Sequence, residues 1–265
     1  MEKQEKIALL IDAENVSKKY IKLIMDEISE YGVVTYKRVY GDFTNPSVST
    51  WKSNLVDYAM TPVFQFNYTK GKNASDSAMV IDAMDILYSG KVNGFCLVTS
   101  DSDFTKLAIR LREAGMLVVG MGEQKTPGSL VAACETFKYL DLLYSEEENE
   151  TDNEKAADII DETQVVENAG DSEDKIETNA SIGIPAKEMI EAEIVAILSS
   201  RIDGDGWLNL SDVGNSLSKR IPGFDPRNYG YKKLQDFVES FDCFETQDIP
   251  NPKNILLKVV YIKMK

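Results

Sequence analysis

Five short apolar runs separated by amphipathic stretches constrain this chain more than any other feature. IALLI (7–11), VVTYKRVY (33–40), PVFQF (62–66), GFCLV (94–98) and MLVVGM (116–121) have the length and content of strands. Between them, helical apolar spacing occurs near 17–30, 48–60, 76–88 and 103–113. Gly32, Gly90 and Gly115 fall where helices should stop. This alternation predicts an α/β fold, a mostly parallel sheet covered by helices on both faces.

The pattern changes toward the C-terminus. Ile190 to Ser200 reads as an amphipathic helix, LNLSDVGNSLSKRI as a second with Ser211 as its N-cap, and Lys232 to Ser240 as a third. FETQDI and ILLKVVYIK then supply two strand-like runs separated by Pro250, Asn251 and Pro252. Three helices and a terminal hairpin predict a small winged-helix α+β domain.

Glu146 to Thr178 separates the two patterns and holds 14 acidic and 2 basic residues. Rich in charge and poor in aromatics, it cannot bury enough surface to offset its ordering entropy. The expected organisation is therefore a first domain over 1–145, an acidic disordered linker over 146–181 and a second domain over 182–265. A coil of about 33 residues reaches roughly 30 Å, enough for both domains to engage one ligand. A solvated helical spacer is the alternative. The linker carries −12 of the chain's −15, so the acidic total says little about what the domains bind.

The chain contains no histidine, which removes Ser-His-Asp and Cys-His catalysis together with imidazole metal ligation. Any catalysis must use carboxylates, lysine, hydroxyls or metal. Cys96, Cys134 and Cys243 are widely separated and lack zinc or redox spacing, so they read as buried thiols in a reducing compartment. With no early apolar run long enough to span a bilayer, a soluble, cytoplasmic protein without a membrane partner is expected.

The carboxylates give the strand–helix pattern a chemical meaning. Asp12 follows the first strand in LIDAENV, Asp76 opens the helix in SDSAMVIDAMD, and Asp101 and Asp103 follow the fourth strand in LVTSDSDFTKLA. In a doubly wound sheet the first and fourth strands are neighbours at the switch point, so these four acids could share one cleft. Two like charges about 4 Å apart repel by roughly 4 kcal/mol at an effective dielectric near 20, so such a cluster calls for a cation. Oxygen ligands alone favour Mg2+ or Mn2+, and such a site suits phosphodiester hydrolysis. Asp82 is a weaker candidate further along its helix, where a solvated face explains it equally well. Each acid alone could also simply cap a helix.

LIDAENV, GKNASDSAMVIDAMD and LVTSDSDFTKLA, in that order over about residues 5–143, resemble the NYN domain, a relative of the PIN-like nucleases. The resemblance implies a Rossmann-like PIN fold and metal-dependent ribonuclease activity. It carries over Asp12, Asp76, Asp101 and Asp103 as catalytic and metal-binding acids, Asp82 as a less certain ligand and Asn15 as a polar neighbour. DGWLNLSDVGNSLSKRIPGF and YGYKKLQDFVES, within roughly 182–263, resemble the LOTUS or OST-HTH domain. That resemblance implies RNA binding, or protein binding in some relatives.

Single-stranded RNA is the expected partner. Lys70, Lys72, Lys106 and Ser100 are candidate substrate contacts beside the acids, and Lys219, Arg220, Arg227, Lys232 and Lys233 are candidate phosphate contacts in the second domain. Surface charge alone also accounts for lysines and arginines of this kind. Trp207 and Tyr231 read as core residues. A homodimer through the first domain is compatible with this architecture. Two other functions stay open: a catalytically inactive RNA- or protein-binding adaptor, and a haloacid-dehalogenase-like phosphatase using DSDFT, with Asp101 as nucleophile and Asp103 as acid.

Overall fold

The computed structural model describes residues 5–64, 74–145, 184–200, 206–251 and 254–265. The acidic segment, Lys70 and Lys72 lie outside the described residues. In the N-terminal unit, β1 (Lys6–Asp12), β2 (Val33–Gly41), β3 (Thr61–Phe64), β4 (Gly94–Val98), β5 (Leu117–Gly122) and β6 (Thr136–Tyr139) form one parallel sheet. Their order is β3-β2-β1-β4-β5-β6, with the reversal between β1 and β4. β1 and β4 are buried along both faces, which explains why they read as unbroken apolar runs rather than alternating ones.

Helices cover both faces. On one lie α1 (Ile21–Ser29), α2 (Pro46–Ser49) and α3 (Lys52–Asp57), where Leu23, Ile24, Ile28, Val48 and Trp51 meet Ile7, Leu9 and Ile11 of β1. On the other lie α4 (Ala74–Ser89), α5 (Thr105–Glu113) and α6 (Gly128–Ala133), where Met79, Ala83, Ile86, Phe104, Leu107 and Leu111 meet Ala8, Leu10, Phe95 and Leu97. The single helix expected near 48–60 is two short ones. Asn45 caps α2 with Pro46 in its first turn, and α3 begins after the buried Trp51. Gly90 and Gly115 adopt the left-handed backbone that ends a helix without a Cβ clash.

The C-terminal unit packs α7 (Lys187–Ser200), α8 (Leu210–Arg220) and α9 (Leu234–Glu239) on a three-stranded antiparallel sheet. Its strands are β7 (Leu208–Asn209), β8 (Phe244–Asn251) and β9 (Asn254–Met264), ordered β7-β9-β8. The expected hairpin is present, with Pro250 and Asn251 inside β8 rather than between the strands. Asn209, not Ser211, caps α8, its side chain accepting the Ser211 N–H at 2.9 Å.

The two units touch directly. The Phe137 N–H on edge strand β6 donates to the Pro222 carbonyl at 2.7 Å, so the C-terminal unit covers part of that edge. Beside this bond, Lys138 Nζ pairs with Asp225 at 2.7 Å and Glu27 at 3.3 Å, and Arg227 bridges Glu27 and Asp225. Glu27, Lys138 and Asp225 are all buried. Burial opposes the charge on Asp225, but the Arg227 hydrogen bond and the Lys138 and Arg227 charges outweigh it and hold its carboxyl down at about 2. Glu27 is lowered in the same way, its burial overcome by Arg227 and Lys138.

Candidate metal centre

The carboxyl ends of β1 and β4 leave the sheet side by side at the switch point, where an open α/β sheet forms its ligand crevice. β1 delivers Asp12, the turn after β4 delivers Asp101 and Asp103, and the first turn of α4 delivers Asp76. Carboxylate oxygens of Asp76, Asp101 and Asp103 lie within 4.8 Å of one another. Asp76 and Asp101 are half-buried and Asp103 is exposed.

Asp12 stands apart from that mutually close trio. It is buried, and Asn15 Nδ2 and Thr99 Oγ1 donate to its Oδ2 at 2.7 and 2.9 Å. The Glu14 and Asn15 N–H groups donate to its Oδ1 at 3.1 and 3.3 Å. Burial raises the Asp12 pKa, and these donors only partly offset it. Thr99 Oγ1 in turn accepts the Asp101 N–H at 3.1 Å, so one hydroxyl ties the end of β1 to the turn after β4. Thr99 escaped sequence reasoning; the signal was a hydroxyl immediately after a buried strand.

Helix capping and site formation coexist here. Asp101 Oδ1 accepts the Asp103 N–H at 2.9 Å, capping the helical turn that leads into α5, while Asp101 remains one of the three close acids. Asp76 registers the crowding most strongly. Burial, followed by the charges of Asp12, Asp101, Glu14 and Asp103, pushes its pKa up to about 6. Glu14 is an acid that sequence reasoning missed; it is anchored by accepting the Asp42 N–H at 3.1 Å.

The remaining candidates scatter. Asp82 accepts from Arg38 and from the Tyr40 hydroxyl and is not one of the three close acids. Ser100 Oγ accepts the Glu123 N–H at 2.9 Å and so holds the loop after β5. Asn15 directs its amide at Asp12. Lys106 is exposed on α5. In the C-terminal unit, Lys219, Lys232 and Lys233 are exposed, and Arg220 pairs with Glu193 at 2.8 Å. Arg227, expected to face RNA, directs its donors at Glu27 and Asp225 in the contact between the units. Trp207 lies under Lys263 Nζ, 4.5 Å from its ring centroid, and Tyr231 packs on Phe237.

Fold and site together define a parallel α/β domain with an all-carboxylate cluster at its switch point, joined to a small α+β domain. The NYN domain model matches residues 6–141 and the OST-HTH/LOTUS domain model residues 186–256. The chain belongs to the NYN family and carries an OST-HTH/LOTUS domain after it. An uncharacterized protein of Methanocaldococcus jannaschii is 28% identical over 156 residues, 57% of this chain, and the match spans 60% of that relative's length. A Vibrio parahaemolyticus protein of unknown function aligns in structure at 19% identity and a TM-score of 0.45, over 52% of this chain and 94% of its own. An uncharacterized Nitrosomonas europaea protein aligns at 31% identity and a TM-score of 0.27, over 39% of this chain and 92% of its own. Among the described residues, no helix is long and apolar enough to cross a membrane.

Proposed function

We propose that this protein is a metal-dependent ribonuclease that hydrolyses RNA phosphodiester bonds, with its C-terminal domain as a second RNA contact. The observation that carries the reading is the convergence of Asp76, Asp101 and Asp103 within 4.8 Å at the switch point of an NYN domain. The donor set fits a hard divalent cation. All three groups offer oxygen, and burial together with the neighbouring carboxylates Asp12, Asp101, Glu14 and Asp103 pushes the Asp76 pKa up to about 6. Asp76, Asp101 and Asp103 would hold Mg2+ or Mn2+, with Asp12 adding charge from behind. When bound, the cation supplies Lewis acidity toward a phosphate oxygen and lowers the pKa of water.

The chain's own part is positional. Thr99 and Asn15 fix Asp12, Asp101 organises the turn that carries Asp103, and the α4 backbone sets Asp76 against both. Lys106, on the first turn of α5, is placed to meet phosphate charge. The reading divides the chain into a nuclease domain over 1–145, an acidic linker over 146–181 and an RNA-contacting domain over 182–265, in which Lys219, Lys232 and Lys233 are exposed.

The test is cleavage of a 5′-labelled single-stranded RNA with Mg2+ or Mn2+, with EDTA, and with Asp101→Asn. Products that require the metal and vanish in the variant support the nuclease. RNA bound but never cut points to an adaptor, and hydrolysis of para-nitrophenyl phosphate without RNA cleavage points to a phosphatase.

A further inference from the structure

The outer faces of α4 and α5 carry side chains that neither the core nor the acidic cluster uses. Ile81 and Tyr88 on α4 are 63% and 73% exposed, and Ile109 on α5 is 45% exposed. Ser77, Ile81 and Tyr88 follow one another at spacings of four and seven, so they share one face of α4. Asp103, in the turn leading into α5, is followed on that helix by Lys106 and then by Ile109 and Arg110. Arg110 Nη2 donates to the Tyr88 hydroxyl at 3.2 Å, which joins the two faces at their far end. At the near end a cavity of about 400 Å³ is lined by Asp76, Ser77, Val80, Ile81 and Asp103. The apolar shelf and two of the clustered acids are therefore walls of one depression.

We infer that the α4–α5 groove is the path of a single-stranded RNA leading away from the acidic cluster, with Ile81 under the first base and Tyr88 stacking a later one. The inference deepens the ribonuclease reading and rests on it for its substrate class. At a rise of 1.5 Å per residue, Tyr88 lies roughly 18 Å along the helix from Asp76, a span of several nucleotides. Sequence-tolerant single-strand binding combines cations that follow the backbone with apolar or aromatic planes under the bases. The groove has both, in alternation: the Ile81 shelf, Lys106, then Tyr88 beside Arg110. Exposing a tyrosine and two isoleucines together on one surface is unfavourable in water, so a function for them is expected.

The experiment uses the full chain carrying Asp101→Asn, so that RNA survives, and measures affinity for a fluorescein-labelled ten-nucleotide single-stranded RNA. Tyr88→Ala and Ile81→Ser should each weaken binding about tenfold. A scan of abasic nucleotides should find one position at which Tyr88→Ala no longer matters. Both side chains are exposed, so the thermal midpoint should stay unchanged and serves as the folding control. Unchanged affinity in both variants overturns the inference, as does an Asp101→Asn chain that binds no single-stranded RNA. Unchanged affinity with a fall from dimer to monomer mass overturns it in favour of a second copy of this chain on the same surface. Cleavage by the unsubstituted chain is scored separately. Absent cleavage with binding lost in the variants removes the nuclease and leaves the RNA path standing, whereas normal cleavage with unaffected binding does the reverse.

Discussion

Arg227 grips Glu27 with both terminal guanidinium nitrogens, at 2.5 and 3.0 Å, across 200 residues of sequence. The same guanidinium reaches Asp225, which also holds the buried Lys138. Two acids and two cations thus close the contact between the NYN and OST-HTH/LOTUS domains.

Removing one member of such a network leaves its buried partners under-compensated. Lys138→Met leaves Glu27 and Asp225 with Arg227 as their shared counter-charge, and the expected cost is about 3 kcal/mol. Urea unfolding of the full chain measures it. A change below about 0.5 kcal/mol would mean that the network contributes nothing to stability.

Acid should open the same contact. The Asp225 carboxyl is held at about 2, below its ordinary 3.8, so its contribution is complete above roughly pH 4 and is lost as pH falls toward 2. Glu27 shifts in the same direction and adds to the loss. The shift on Asp225 corresponds to about 2 kcal/mol. Stability followed between pH 5 and 2 should fall more steeply for the unsubstituted chain than for Asp225→Asn. Parallel curves would show that the acid dependence originates elsewhere.

Thr99 is expected to act on the metal through Asp12 and the Asp101 backbone. Groups that orient the residues around a metal typically change its affinity 10- to 100-fold when removed. Thr99→Val should therefore weaken Mn2+ binding by about tenfold, as calorimetric titration would report. Unaltered affinity would separate Asp12 from the centre.

Asp82 should behave in the opposite way. Its carboxylate accepts from Arg38 and the buried Tyr40, whose pKa burial and then Asp82 raise. Asp82→Ala strands the Tyr40 hydroxyl and should cost about 1–3 kcal/mol. Mn2+ affinity should stay within twofold of the unsubstituted chain. A large loss of metal affinity would return Asp82 to the ligand set.

Much of the site was legible because strand ends are legible. A buried parallel strand is a continuous apolar run, and an acid directly after it must stand at the carboxyl edge of the sheet. Asp12, Asp101 and Asp103 could be placed on that ground alone. What could not be read was their division of labour, in which Asp12 is buried and accepts from Thr99 and Asn15 while the other two meet Asp76. A hydrogen-bond partner such as Thr99, delivered from beyond another strand, leaves no periodic trace.

Strand β6 shows the limit most clearly. TFKY carries a lysine where a buried strand should be apolar, and it did not stand out as a sixth strand. Lys138 can be buried there because Asp225, from the other domain, and Glu27 neutralise it. Arg227 is the converse: a basic residue in a basic neighbourhood that read as a phosphate contact until the partner domain claimed it. Local patterning determined the alternation of strands and helices, the motifs of both families and the acids at the sheet edge, because these depend on neighbours within a few residues. Only the tertiary structure decided which charges are buried as partners and which remain exposed. The Lys138 ammonium is stable in the interior because opposite charges arrive with it, and one of them comes from another part of the chain.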